Sequence, residues 1–473
     1  MAHRQIDEPG RRPAPLPSYI GGADRPTKAS DPALRHARAV IDLIFGPIAA
    51  RTFDVRYWDG SVDHGRRATT TFRFGVNRPG ALRRMLLPPS ELSIVEAYLS
   101  GDIDVDGELE AAVGLPDAIG ARVRSPRMLA RLLTHLLALP SGEGADDVRV
   151  ARSEHVVEPV GKPHDPSRDR AAIRFHYDVG NDFYALWLDG SMVYSCAYYR
   201  RPTDSLEEAQ RAKLDLICRK LRLRAGQRLL DVGCGWGALI MHAARHYGVT
   251  ALGITLSEAQ AALARKRIAA AGLEQRCRVE IRDYRDLPPD AQFDRIASVG
   301  MIEHVGETRL EEYFAALHRT LSPGGLFLNH GIVSLKAARP GGVLTWLESW
   351  LWRRDAFIHQ YVFPDGKLTA FQSVIAAAEA AGFETRDVES LREHYARTLH
   401  DWVSRLLQHE DRAIALTSER IFRIWRLYMT ASAYAFTHGR INVLQTLLAK
   451  PDAEGGVELP MTREDLLTDG LTV

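Results

Sequence analysis

The chain has 473 residues, 45% hydrophobic and 26% charged, with a formal net charge of +1. That length accommodates two or three domains of ordinary size, and a charge so near zero excludes bulk attraction to nucleic acid. Cys196, Cys218, Cys234 and Cys277 are too few for a disulfide framework and lie at no metal-binding spacing, so a reducing, cytoplasmic setting without zinc is expected.

The opening residues, MAHRQIDEPGRRPAPLPSYIGG, contain acids and no apolar stretch, so they do not read as a signal peptide. No run of about 18 apolar residues marks a membrane span. Residues 1–33 are rich in Pro, Gly and Arg and are expected to be disordered. Residues 34–140 read as a small α+β domain: TTTFRFGV alternates like a strand, and PSELSIVEAYLSGDIDV starts as a capped helix that stops at Gly101. In RVRSPRMLARLLTHLLAL, Met128, Leu129, Leu132, Leu133, Leu136 and Leu137 recur at helical spacing, among Arg122, Arg124, Arg127 and Arg131. Two readings stand: a helix packed on its own domain, or a basic amphipathic helix resting on an anionic membrane. Residues 141–170 are polar and read as a linker.

From Ala171 strand-like and helix-like segments alternate, which predicts a parallel α/β sheet. QRLLDVG, VTALGIT, CRVEIRD, FDRIASVG and LFLNHGIVS are the predicted strands. The first runs into LLDVGCGWG, where Asp231 precedes Gly233, Gly235 and Gly237. Glycines there permit a tight turn and close backbone approach to a ligand. The G-x-G-x-G spacing, with no Lys-Ser/Thr after it, argues against a P-loop and a dinucleotide fingerprint. It resembles the first motif of the class I S-adenosylmethionine-dependent methyltransferases. The next strand ends in GITLSEAQ, without the acid many such enzymes offer a ribose; Thr255, Ser257 and Gln260 can hydrogen-bond one instead. At the third strand end, Asp283 is placed to accept from an adenine amine and Tyr284 to stack on the ring, with Arg285 beside them.

Read in order, FHYDVGNDFY, VYSCAYY, LLDVGCGWG, GITLSEAQ, SVGMIEHVG, LNHGIVS and HYARTLHDW resemble the cyclopropane-fatty-acyl-phospholipid synthases and their relatives that modify mycolic acids. The likeness covers residues 171–473, and the preceding domain resembles the N-terminal domain of the phospholipid enzymes. It implies a Rossmann-like class I methyltransferase domain with helical lipid-binding insertions. It also implies methyl transfer from S-adenosylmethionine to a cis double bond of a phospholipid acyl chain, with bicarbonate as the base. The partners are then membrane phospholipids with unsaturated chains, met by peripheral contact with the inner face of the membrane; a homodimer stays open. The residues matching the family's bicarbonate site are Cys196, Glu303, His330, Ile332 and Tyr395. Cys196 and Ile332 are expected to offer mainly backbone groups, while Tyr194 and Ser195 face the cofactor. A cysteine common in the late helix of the family is Ser432 here. The segment GGVLTWLESWLWRRDAFIHQYVFPDG, with Leu344, Trp346, Leu347, Trp350, Leu351, Trp352, Arg353 and Arg354, reads either as a core helix or as the wall of an acyl tunnel. A lipid C-methyltransferase leaving a methyl or methylene branch is the alternative function.

Overall fold

The computed structural model describes residues 31–66, 70–115, 125–141, 165–177, 179–288, 290–335, 356–364, 366, 368–457 and 459–467. The N-terminal segment expected to be disordered, most of the linker, Arg122, Arg124 and the tryptophan-rich stretch from Leu344 to Arg354 lie outside those residues, apart from residues 31–33.

The small domain begins with helix α1 (Pro32–Phe45), whose cap Asp31 accepts from the Ala33 N–H. Pro32 follows it at the first helical position, where a missing N–H costs nothing. Ala37, Val40, Ile41 and Ile44 fall on one face of α1 and are buried. They share a core with a four-stranded sheet of order β2-β1-β3-β4, from β1 (Asp54–Tyr57), β2 (Val62–Asp63), β3 (Phe72–Val76) and β4 (Ile103–Gly107). Strand β3 buries Phe72 and Phe74 and exposes Arg73, as its alternation predicts, and Phe72 stacks on Phe53 at 4.9 Å. Helices α2 (Ala81–Leu86) and α3 (Glu91–Leu99) precede β4, and the Ser90 hydroxyl caps α3 by accepting from the Ser93 N–H. Helices α4 (Leu109–Val113) and α5 (Pro126–Ala138) follow.

Helix α5 packs on α1 along one edge, where the Nδ1 atoms of His36 and His135 lie 2.9 Å apart, and it buries only Leu136. Leu129, Leu133 and Leu137, spaced one turn apart, remain 49%, 46% and 55% exposed, and Arg127 and Arg131 are exposed beside them. The packed edge fits the first reading of this segment, and the leucines of the other edge face outward.

The larger domain opens with α6 (Pro166–Tyr177), so helix begins inside the stretch read as linker; its charged face hid the signal, and Pro166 sits where it starts the helix. Then come α7 (Asn181–Tyr184), α8 (Leu206–Lys220), β5 (Arg228–Val232), α9 (Ala238–Tyr247), β6 (Thr250–Thr255), α10 (Glu258–Ala270), β7 (Cys277–Ile281) and β8 (Phe293–Val299). The chain continues through α11 (Ile302–Val305), α12 (Leu310–Thr320), β9 (Leu321–Ser334), α13 (Ala356–Tyr361), β10 (Thr369–Ala370), α14 (Phe371–Ala380) and β11 (Glu384–Ser390). Helices α15 (Arg392–Gln408), α16 (Glu410–Leu416) and α17 (Glu419–Thr437) lead to β12 (Ile441–Ala449).

The main sheet has the order β11-β12-β9-β8-β5-β6-β7, with β10 beside β9. Strands β9, β8, β5, β6 and β7 are parallel, and β5 buries Leu229 to Val232 in a continuous run because helices cover both faces. Strand order reverses about β5, which opens a crevice at the carboxyl ends of the strands. The five expected strands form the parallel part of the sheet, and β12, which is not among them, runs antiparallel to both neighbours. Helix α17 delivers the chain at the carboxyl end of β9, where Ile441 pairs with Ser334, so the next strand has to run back.

The small domain docks on α17. Arg420 reaches Glu96 at 3.0 Å, and Arg423 reaches Asp104 at 3.1 Å and the Tyr98 carbonyl at 3.0 Å. The Tyr361 hydroxyl of α13 also donates to Glu96.

Candidate active site

The β5–α9 turn builds the first part of the site. Gly235 and Gly237 have φ of +53° and +80°, a backbone region that favours glycine, and Gly237 also packs against Ala264. The N–H groups of Gly233 and Cys234 both donate to the Ile254 carbonyl at 3.0 Å, which fixes the turn to the adjacent strand. A cleft beside this turn is lined by Tyr194, Ser195, Asp231, Gly233, Gly235, Thr255, Gln260, Asp283, Tyr284 and Arg285. Ten of the twelve residues expected to bind cofactor therefore share one wall. Gly237 and Ser257 do not line it: Gly237 starts α9, and the Ser257 hydroxyl caps α10 by accepting from the Gln260 N–H at 3.3 Å.

Several of these groups are already engaged. The Thr255 hydroxyl donates to Gln260 Oε1 at 2.9 Å, and Gln260 also meets the Tyr177 hydroxyl. Asp283 accepts two bonds from the Arg285 guanidinium, at 2.9 and 2.6 Å, so an adenine amine would share that carboxylate. Tyr284 is buried edge-on against Tyr313 at 5.2 Å, more a wall than a free stacking surface. Burial pushes the Asp231 carboxyl up to about 7, and Lys213 opposes the shift. Burial also brings Lys213 down to about 8, against the pull of Asp189, Cys196 and Asp231.

The VYSC segment lies over this cleft, tied down by α8 and α15. Lys213 Nζ donates to Ser195 Oγ at 2.9 Å, and Gln210 Nε2 donates to the Ser195 carbonyl at 2.9 Å. The Ala197 N–H donates to Thr398 Oγ1 at 3.0 Å. Cys196 is fully buried; its thiol points at the Ala197 and Leu391 carbonyls, and burial raises it well above the ordinary thiol range. That is the environment of an inert thiol, not of a nucleophile.

Glu303, on α11, follows the end of β8, and His330, on β9, lies opposite the last residue of that strand. Glu303 Oε1 accepts from the Ile332 N–H at 2.7 Å, and Oε2 is buried with no partner. Ile332 thus spends its N–H on Glu303, not on an anion. Burial pushes the Glu303 carboxyl up to about 7, partly offset by that N–H. His330 accepts at Nδ1 from Gln445 Nε2 at 3.1 Å, its Nε2 is buried without a partner, and burial holds it well below the usual imidazole range. Tyr395 is buried against Phe436 at 4.7 Å; burial raises its hydroxyl, followed by the nearby Tyr428, Cys196, Glu303 and Tyr177. Of the five residues expected around an anion, Tyr395 lies near Cys196 and Glu303, and Glu303 holds the Ile332 N–H.

Sequence reasoning missed the aromatic enclosure. Tyr184, Trp187, Tyr194, Trp402 and Trp425 pack with centroid distances of 5.2–6.2 Å. Tyr177, Tyr194 and Trp236 belong both to this cluster and to the cleft wall. The density of rings in FHYDVGNDFYALWL was the available signal. Ser432 hydrogen-bonds the Tyr428 hydroxyl one turn away on α17.

A chain-wide likeness matches this geometry. The family model described as mycolic acid cyclopropane synthetase matches residues 164–446, and a domain family of unknown function matches 40–115. A probable fatty acid methyltransferase of Pseudomonas putida is 40% identical over 416 residues, covering 87% of this chain and 95% of that one. A second protein of that description, from Mycobacterium tuberculosis, is 35% identical over 440 residues, covering 90% and 98%. The crystal structure of the mycolic acid cyclopropane synthase CmaA1, complexed with SAH and CTAB, superposes with a TM-score of 0.56 at 38% identity, over 61% of this chain and 99% of that one. With this fold, this glycine turn and this extent of identity, the chain belongs to the mycolic acid cyclopropane synthetase family, on a class I S-adenosylmethionine-dependent methyltransferase fold.

Proposed function

We propose that the protein transfers the methyl group of S-adenosylmethionine to a cis double bond in the acyl chain of a membrane phospholipid and closes a cyclopropane ring. The observation that carries this reading is that Glu303 Oε2 and His330 Nε2 are both buried without a partner, in a fold whose aromatic cluster shares Tyr194 with the cleft. The alkene π pair attacks the methyl carbon, and the carbon–sulfur bond breaks with its electrons going to sulfur. Positive charge is left on the second alkene carbon. Loss of a proton from the added methyl then frees the pair that closes the ring.

An alkene needs no activating side chain, so positioning and exclusion of water supply most of the rate. The buried rings of Tyr184, Trp187, Tyr194, Trp402 and Trp425 would exclude water, and aromatic rings near the reacting carbons would favour a cation. Glu303 takes the released proton; a carboxyl at about 7 is matched to that task near neutral pH. His330, Tyr395 and the loop at Cys196 would hold a bicarbonate ion, which would supply a mobile base; the orphaned Glu303 and His330 atoms support this reading. Peripheral contact with the membrane is supported by the leucine stripe of α5.

The test is incubation with S-adenosylmethionine and vesicles of cis-unsaturated phospholipid. A mass gain of one CH₂ with upfield cyclopropyl protons is expected; no turnover with any unsaturated lipid refutes the proposal. A second reading, branching methylation of a fatty acyl chain, draws support from the two relatives called probable fatty acid methyltransferases, which cover this chain with its small domain. Branched-methyl or exomethylene signals would select it.

A further inference from the structure

One row of side chains crosses three strands toward the buried pair. Glu389 on β11 lies directly opposite Gln445 on β12, and Gln445 lies directly opposite His330 on β9. Opposed residues in neighbouring strands project from the same face of the sheet. Lys220, the last residue of α8, sits over this row: Nζ donates to Gln445 Oε1 at 2.7 Å and pairs with Glu389. Lys220, Gln445 and His330 are all at most 2% exposed, whereas the Glu389 side chain is 34% exposed. The row therefore runs from the sheet edge into the active site.

The chemistry of the row leaves one hydrogen arrangement. An ammonium group has donors and no acceptor, so the Gln445 oxygen must face Lys220. The Gln445 NH₂ must then face His330, where only an accepting Nδ1 can receive it. A neutral imidazole that accepts at Nδ1 carries its proton at Nε2. This follows from the lysine, not from how the amide was oriented. The reverse amide would set two donors against each other among side chains at most 2% exposed, which is costly.

We propose that Lys220 and Gln445 are positioning residues that lock His330 in the Nε2–H tautomer, so that His330 is a hydrogen-bond donor to an anion or oxygen in the active site and not the base. The assignment deepens the proposed function by leaving Glu303 as the protein group that receives the proton. It stands or falls separately, because the tautomer is read without turnover.

The experiment is ¹⁵N NMR of the full chain with labelled histidine, His330 being assigned by its loss in His330→Gln. In the wild type the ring is expected as the Nε2–H tautomer across neutral pH, without protonation. Lys220→Met should give a tautomer mixture and a kcat about 10- to 100-fold lower, by analogy with the loss of an outer partner of a metal-ligating histidine. The Kd for S-adenosylhomocysteine should stay within about twofold. Lys220→Arg, also a pure donor, should restore the Nε2–H signal. Gln445→Glu should reverse the ring, since a carboxylate accepts from Nδ1–H, and it covers the case in which Lys220→Met fails to fold. An Nδ1–H signal in the wild type, or an unchanged ring in both Lys220→Met and Gln445→Glu, overturns the proposal. An Nε2–H signal with no lipid turnover would refute the function and leave the tautomer assignment standing.

Discussion

Replacing Glu303 with glutamine should make the protein more stable and nearly inactive at once. The carboxyl is raised from 4.5 to about 7 because the water its charged form has lost outweighs the backbone bonds from Ile332 and from its own N–H. At roughly 1.4 kcal/mol per pH unit, ionised Glu303 costs the folded state on the order of 3 kcal/mol. Between those two values the folded chain holds a proton that the unfolded chain has released. Stability therefore falls as pH rises from 4.5 toward 7 and levels off above it. Glutamine carries no charge and keeps an oxygen for the Ile332 N–H. Near pH 8 the variant should gain about 1–3 kcal/mol in denaturant unfolding, and the gain should shrink as the pH approaches 5. Methyl transfer should fall by about 10²–10⁴. Binding of S-adenosylhomocysteine, followed by calorimetry, should persist, because Glu303 does not line the cleft. A variant no more stable than wild type near pH 8 would refute the buried charge, and near-normal turnover would refute the proton-accepting role.

Cys196→Ser should retain turnover within about tenfold, since a hydroxyl can make the thiol's bonds to backbone carbonyls, whereas Cys196→Trp overfills a closed site and should abolish folding or activity. If Ser were as damaging as Trp, the thiol would have a chemical role. Changing Leu129, Leu133 and Leu137 to serine should lower affinity for anionic vesicles tenfold or more in a sedimentation assay, by removing apolar area at about 25 cal/mol per Å². The melting temperature should hold, because these side chains are exposed; unchanged vesicle binding would refute the membrane reading of α5. Arg423→Ala should cost about 1–3 kcal/mol in unfolding, by stranding Asp104 and the Tyr98 carbonyl. In a double-mutant cycle with Asp104→Ala the losses should be clearly less than additive, and additivity would show that the contact carries no energy.

The strands of the main sheet were legible because they are short apolar runs ended by turn chemistry, and LLDVGCGWG announced the cleft because few backbones need three glycines there. The antiparallel course of β12 was not legible: INVLQTLLA has no feature that marks direction, which is set by where α17 leaves the chain. The start of α6 was hidden by charge, since PSRDRAAIRFHY lacks the apolar period that reveals a helix. Within the site, residue identities were readable from motif resemblance, but their occupations were not. Ser257 caps a helix and Asp283 holds Arg285, local contacts that compete with ligand binding, while the Ile332 N–H holds Glu303 across 29 residues, a contact only the fold reveals.

The register of β12 on β9 has a consequence for insertions and deletions. Side chains alternate faces along a strand, so a slip by one residue would carry Gln445 to the opposite face and present Leu444 or Thr446 beside His330. The slip would be set in the short turn between Thr437 and Ile441, where Gly439 at φ +64° reverses the chain. Surface turns usually absorb an extra residue at little cost. This one meters how far β12 advances along β9, so its length is bound to the chemistry of a histidine it never touches. Chimeras of family members joined at this turn should function only when its residue count is preserved.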